Sequence, residues 1–183
     1  MIKSFNPDSL HRDLLEKRTI YLGDRITDEL ASQFGMVMVW LNKQNEEPID
    51  MYFDSPGGSV AAGLDIYDMV RHSKAPVTGI IYRHADSMAA VIIQGCTTRQ
   101  ALPNADLLIH GVRISDFSLI SIEDDIEKAL RKAREQQSII NTILHERTGL
   151  SLSAIRKMNR QGKTISATEA FSLGLIDEIL WPQ

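Results

Sequence analysis

Ser87 and His110 are the two side chains in this sequence whose surroundings best suit chemistry. Ser87 begins a short apolar helical pattern, so it is either the N-cap of that helix or a nucleophile beside the unpaired N–H groups of the first turn. The small neighbours Ala85, Ala89 and Ala90 leave room for a substrate. His110 closes an apolar strand pattern and precedes a glycine. It is either a partly buried polar group or a histidine placed over a cleft.

A loop with two adjacent glycines, residues 54–60, is the third candidate. It lies between a strand pattern and a helix pattern. Gly57 and Gly58 allow the backbone to approach a ligand, and N–H groups at a helix N-terminus can face an anion. A plain tight turn explains the same pair of residues.

The elements that must position these residues follow from the apolar pattern. Short apolar runs predict strands, and apolar residues three or four apart predict helices between them. This alternation, with no break in composition, predicts an α/β fold around a mainly parallel sheet. The expected strands are Thr19–Leu22 and residues 49–53, 77–82, 107–109 and 176–180; the expected helices are residues 28–41, 61–72 and 87–96 and one that begins at the capping box 166–169.

Residues 121–147 contain no glycine or proline and predict one long helix. At 1.5 Å per residue it extends about 40 Å, more than one small domain can cover. Its apolar stripe therefore needs a partner. The stripe consists of Ile126, Leu130, Ala133, Ile140 and Leu144.

Composition limits the class of protein. The chain has 183 residues, of which 43% are hydrophobic and 24% charged, as expected for one domain with one core. A net charge of −4 argues against nucleic acid as the main partner. The single cysteine, Cys96, cannot form an internal disulfide, which fits a reducing compartment. The start lacks a secretory signal pattern and no run is long enough to span a membrane, so we expect a cytoplasmic protein without a membrane partner.

Four segments together resemble the proteolytic subunit family of the Clp protease. They are Phe-Asp-Ser-Pro-Gly-Gly-Ser-Val-Ala-Ala-Gly-Leu-Asp-Ile-Tyr-Asp (53–68), Ala-Asp-Ser-Met-Ala-Ala (85–90), Leu-Pro-Asn-Ala-Asp-Leu-Leu-Ile-His (102–110) and Glu-Ala-Phe-Ser-Leu-Gly-Leu-Ile-Asp (169–177). Their order and gaps match, and the resemblance covers residues 18–180. It implies an α/β fold of the type shared with crotonases, with stacked β-α repeats in a single domain, residues 18–183, after an amino-terminal segment, residues 1–17. A protruding helical region, the handle, is expected at about residues 111–147.

The resemblance also implies the roles of the site residues. Ser87 is expected as the nucleophile and His110 as its general base, because a serine hydroxyl is a poor nucleophile until an imidazole takes its proton. The backbone N–H groups of Gly58 and Met88 are expected to form the oxyanion hole. No metal or cofactor is implied. The substrate chain is expected to bind as an added strand along Gly57, Ser59, Val60 and Gly111.

The third catalytic residue of the family, an aspartate, is missing at its expected position. Counting back from residues 169–177 places Gly162 there, and residues 159–164 contain no carboxylate. A carbonyl, a water molecule or Asn159 can orient His110 instead, or Asp116 can reach it. Loss of the orienting aspartate from a serine triad lowers turnover by about 10⁴-fold.

The expected function is that of a serine endopeptidase that cleaves unfolded proteins or peptides. The resemblance implies a homo-oligomer of two stacked heptameric rings, fed by a Clp-type AAA+ ATPase. The missing aspartate leaves open a weakly active or inactive structural subunit that assembles with an active paralogue. An acyl-CoA hydratase or isomerase of the crotonase type and a phage head-maturation peptidase are further alternatives. The amino-terminal segment does not match the family's axial loop, so ATPase docking is expected less firmly than the hydrolase fold.

Overall fold

Seven strands form one sheet in the part of the chain that the structure describes. The computed structural model describes residues 7–113 and 125–182. The strands are β1 Thr19–Leu22, β2 Ile49–Ser55, β3 Val77–Asp86, β4 Thr98–Ala101, β5 Asp106–Leu108, β6 Thr164–Ser166 and β7 Glu178–Ile179. The helices are α1 Pro7–Glu16, α2 Asp28–Gln44, α3 Val60–Arg71, α4 Met88–Ile92, α5 Asp125–Thr148, α6 Leu152–Gln161 and α7 Ala167–Ser172, and a 3₁₀ turn, Ile93–Gly95, follows α4.

The sheet is mainly parallel, which confirms the predicted fold class. The strand order β1-β2-β3-β4-β7 is parallel throughout. Strand β3 forks: residues 78–81 pair with β4, whereas residues 84–86 pair with β5. Only the pairing of β5 with β6 is antiparallel among the described strands. The fork places the end of β3 beside the end of β5, and these two ends carry the candidate serine and histidine.

The sequence patterns account for most of these elements. Thr27 caps α2 by accepting a hydrogen bond from the Leu30 N–H, and Ser166 caps α7 by accepting one from the Glu169 N–H. Three predicted elements differ most from the structure. Of the strand expected at residues 176–180, only Glu178–Ile179 pairs with β4. Strand β3 continues past residue 82, because its second half finds a partner in β5. The helix expected at residues 87–96 is a short α4 followed by the 3₁₀ turn.

Helices α3 and α4 pack closely at a glycine. A Cβ atom added to Gly63 in α3 would lie 2.6 Å from the Cε atom of Met88 in α4, which is closer than real contacts allow. Gly63 therefore lets the two helices approach each other. This approach brings the N-terminus of α3, and the glycine loop before it, next to the start of α4.

Helix α5 has 24 residues and extends about 36 Å. Its second half packs on the domain through Ile140 and Leu144, which are 5% and 1% exposed. Ile126 and Leu130 in its first half are 37% and 41% exposed. Residues 121–124 of the predicted helix and residues 114–124 of the proposed handle lie outside the described residues. No helix within the two described ranges is both long and apolar enough to cross a membrane.

Candidate active site

Ser87 occupies a strained turn between β3 and α4. Its φ is 56° and its ψ is −117°, a backbone conformation that side-chain-bearing residues rarely adopt and that costs about 1–3 kcal/mol. It occupies the N-cap position, yet its hydroxyl makes no capping hydrogen bond. The simple N-cap explanation is therefore wrong. A sharp strand-to-helix turn of this kind presents a serine Oγ atom above the end of a sheet.

The glycine loop lies against this turn. Gly57 has a φ of 79°, and a Cβ atom there would lie 2.5 Å from the Asp86 carbonyl oxygen and 2.7 Å from the Ser87 Cβ atom. Only glycine fits this approach, so the loop is more than a plain turn. The Ile26 N–H donates to the Gly57 carbonyl at 3.0 Å and the Ser59 N–H donates to the Ile26 carbonyl at 2.9 Å. These bonds hold the loop on both sides of Gly58.

Two backbone N–H groups beside Ser87 have no protein acceptor among the described residues. They belong to Gly58, in the glycine loop, and to Met88, the first residue of α4. The first N–H groups of a helix have no partner within the helix. Both residues line the same cleft as Ser87, so their N–H groups are available to an oxyanion.

One cleft of about 280 Å³ brings the predicted site residues together. Ser87, Met88, Gly58, Val60, His110 and Gly111 line it, with apolar side chains from Val91, Ile109 and Ile140. Arg25 and Arg113 also line it, and its described lining includes no carboxylate. Ser59 lies in the adjoining groove and caps α3, and Gly57 lies behind the serine turn.

His110 follows β5 and lines the cleft, and one of its ring nitrogens is hydrogen-bonded to the backbone. Its Nδ1 atom lies 2.7 Å from the Gly111 carbonyl oxygen. A carbonyl oxygen only accepts, so in the neutral imidazole the proton lies on Nδ1 and Nε2 carries the free lone pair. In this structure no hydrogen bond joins the Ser87 hydroxyl to His110; such bonds are often long before a substrate binds.

A family model described as Clp protease matches residues 4–183. The chain belongs to the Clp protease family. The match confirms the resemblance proposed from the sequence motifs and supports a peptidase. The cleft described above lies at the fork of this Clp protease fold.

The expected third position of this Clp protease family member lies beside the histidine. Gly162 is the C-cap of α6, with a φ of 56° and a ψ of 44°. A Cβ atom there would lie 3.7 Å from the His110 Cβ atom, which is ordinary van der Waals contact. The position is therefore near enough to orient the imidazole, but glycine has no side chain to do so.

Asn159 and Asp116 were suggested as substitutes for the missing aspartate, and the structure describes only Asn159. The Asn159 side chain donates to the Asn141 Oδ1 atom at 2.8 Å, and its backbone carbonyl accepts from the Gly111 N–H at 3.0 Å. Within the described residues it makes no hydrogen bond to the His110 ring. Asn159 therefore holds the segment after the histidine, and the ring bonds to the Gly111 carbonyl instead. Asp116 lies outside the described residues.

The serine turn has two acidic neighbours, Asp86 at the end of β3 and Asp54 near the end of β2. Burial is the main cause that raises the pKa of Asp86; His84 and His110 oppose the shift and Asp106 adds to it. Asp54 lies 2.9 Å from the His84 Nδ1 atom and also accepts from Arg83. Among the side chains that the structure describes, no carboxylate forms an ion pair with His110.

Sequence reasoning missed Gln137 and Asn141. The Gln137 Oε1 atom accepts from the Val112 N–H at 2.7 Å, and its Nε2 atom donates to the Asn141 Oδ1 atom at 3.0 Å. Asn141 is only 8% exposed. The sequence did contain one indication of this pair. Gln137 and Asn141 are four residues apart, so they share a face of α5, and they lie beside its apolar stripe.

Proposed function

We propose that this protein is a serine endopeptidase with Ser87 as its nucleophile. The strained turn at Ser87, with a hydroxyl that caps nothing, is the observation that carries the proposal. His110 Nε2 takes the hydroxyl proton as Oγ attacks the peptide carbonyl carbon. The N–H groups of Gly58 and Met88 then bind the oxyanion. The peptide C–N bond breaks as His110 returns the proton to the leaving amine, and water hydrolyses the acyl-enzyme by the same route.

The substrate chain lies along the cleft as an added strand. Val60 flanks it on one side, with Ser59 in the adjoining groove and Gly57 in the loop behind, and Gly111 flanks it on the other. A cleft open along its length accepts an extended peptide more readily than a folded surface. Unfolded proteins and peptides are therefore the proposed substrate class.

Turnover is proposed to be slow. A neutral carbonyl on His110 Nδ1 selects the tautomer that a general base needs. It does not supply the negative charge that stabilises the imidazolium formed during attack. This observation also favours the second candidate, a weakly active or inactive structural subunit that assembles with an active paralogue.

Reaction with a fluorophosphonate tests the nucleophile. We expect a covalent adduct on Ser87, identified by mass spectrometry of peptides, and none in the Ser87→Ala variant. Peptide hydrolysis should disappear in the same variant. Assembled, folded protein that forms no adduct at Ser87 overturns the peptidase proposal and leaves the structural subunit.

Assembly into two stacked heptameric rings belongs to the same proposal, as do a Clp-type ATPase partner and a cytoplasmic location. The exposed apolar side chains of α5, Ile126 and Leu130, support a helix that is covered by another subunit. Analytical ultracentrifugation tests the assembly: Leu130→Lys should dissociate it, whereas Glu127→Gln, which changes the charge equally, should not. A wild-type monomer at tens of micromolar contradicts the ring.

A further inference from the structure

The peptide group between Gly111 and Val112 is hydrogen-bonded at both ends. Its carbonyl oxygen lies 2.7 Å from His110 Nδ1, and its N–H donates to Gln137 Oε1 at 2.7 Å. The carbonyl and the N–H of one peptide group are held in one plane. The Gln137 side chain therefore controls the orientation of the carbonyl that orients the imidazole.

Gln137 is itself held in place. Its Nε2 atom donates to Asn141 Oδ1 at 3.0 Å, and Asn159 Nδ2 donates to the same oxygen at 2.8 Å. The Asn159 carbonyl accepts from the Gly111 N–H at 3.0 Å. The Gly111 N–H is thus hydrogen-bonded to α6 and the Val112 N–H to α5. Asn141 connects the two acceptor residues, because the side chains of Gln137 and Asn159 both donate to it.

We propose that Gln137 is the positioning residue for His110 in this protein, acting through the Gly111–Val112 peptide group where an aspartate is missing. This inference rests on the proposed peptidase function. Hydrogen bonds in series polarise one another, so an acceptor on the N–H strengthens the bond that the carbonyl accepts from Nδ1. Gln137 thereby favours the tautomer with a free Nε2 atom and limits rotation of the ring.

The test compares two substitutions at one position. Gln137→Met keeps the length of the side chain and removes the acceptor. We expect kcat for peptide hydrolysis and the rate of fluorophosphonate labelling to fall by about threefold to tenfold, with KM little changed. Gln137→Glu keeps an acceptor and adds a negative charge. The charge stabilises the imidazolium, so activity should be retained and the pH of half-maximal labelling should rise. The Asn141 amide can turn over to donate to the new carboxylate, and the Asn159 amide can then turn over to accept from Asn141.

Ser138→Ala on the same helix is the control, because the Ser138 side chain is exposed, does not line the cleft and takes no part in the hydrogen bonds of Gln137, Asn141 and Asn159. Sedimentation and melting of each variant separate an effect on His110 from loss of folding or assembly. If the wild type is labelled and Gln137→Met matches it in rate and pH profile, the inference is wrong. Should Gln137→Met fail to fold, Gln137→Glu decides, and an unchanged pH profile refutes the inference. A wild type that is not labelled refutes the proposed function instead.

Discussion

Replacing Gly162 with aspartate should increase the activity of Ser87. A Cβ atom at this position would lie 3.7 Å from the His110 Cβ atom, so a carboxylate on it can reach Nδ1 and displace the Gly111 carbonyl. Two opposite charges about 4 Å apart interact by about 4 kcal/mol at an effective dielectric constant of 20. This sets an upper limit of about a thousandfold in rate. We expect a gain of about 10- to 100-fold, because the carbonyl already selects the correct tautomer.

The same substitution should lower stability. Gly162 has a φ of 56°, where a side chain costs about 1 kcal/mol, although aspartate and asparagine tolerate this region best. A negative charge at the C-terminus of α6 adds about 0.3–1 kcal/mol. For a chain of this size, each 1 kcal/mol lowers Tm by about 2–4 °C.

Gly162→Asn is the matched control, because it has the same shape and a similar backbone cost without the charge. Labelling rates and kcat/KM of the two variants are compared as a function of pH, together with melting and sedimentation. A Gly162→Asp variant that folds and assembles but is no faster than Gly162→Asn would show that position 162 does not serve as the third site.

Three further predictions concern strain, charge and substrate choice. Ser87→Gly relieves the positive φ and should raise the free energy of unfolding by about 1 kcal/mol above that of Ser87→Ala in chemical denaturation; equal stabilities contradict the strain. Burial alone would raise the pKa of Asp177, but hydrogen bonds from Arg99 outweigh this and hold it below its usual value. The carboxylate therefore stabilises the fold at neutral pH, and this contribution is lost as the pH falls through the lowered pKa; Asp177→Asn should reduce Tm at pH 7, and the reduction should shrink progressively as the pH falls below the usual aspartate pKa. Because Arg25 and Arg113 line the cleft, kcat/KM should be higher for peptides with Glu near the cleaved bond than for matched Lys peptides, and replacing both arginines with Gln should remove this difference, whereas an unchanged preference argues against their role.

The order of elements and the location of the cleft could be predicted from the sequence because they depend on local patterns. Apolar runs predicted β1, β2 and β5, and helical spacing predicted α2 and α3. Helices α1 and α6 were not predicted from their own residues, although Ser151 is the N-cap of α6 and Ile155 is its buried residue. Strands β4 and β6, of four and three residues, are too short to show a clear alternation of apolar and polar residues.

The details of the site could not be predicted in the same way, because they depend on contacts between distant parts of the chain. The positive φ of Ser87 arises where β3, α4 and the glycine loop meet. The bond from the Val112 N–H to Gln137 joins residues 25 apart in sequence, and nothing in the pattern of either segment specifies it. Gly162 was an exception, because counting along the family motif placed it and the structure has it beside His110.

The left-handed backbone at Gly162 gives this position two conflicting requirements. Glycine is the residue that most readily ends a helix there, whereas the chemistry of a serine triad calls for aspartate at the same place. Position 162 lies at the end of α6, outside β3 and β5, the two strands that precede Ser87 and His110. Under the proposed mechanism, a single substitution at position 162 therefore exchanges stability at the end of α6 for catalytic rate.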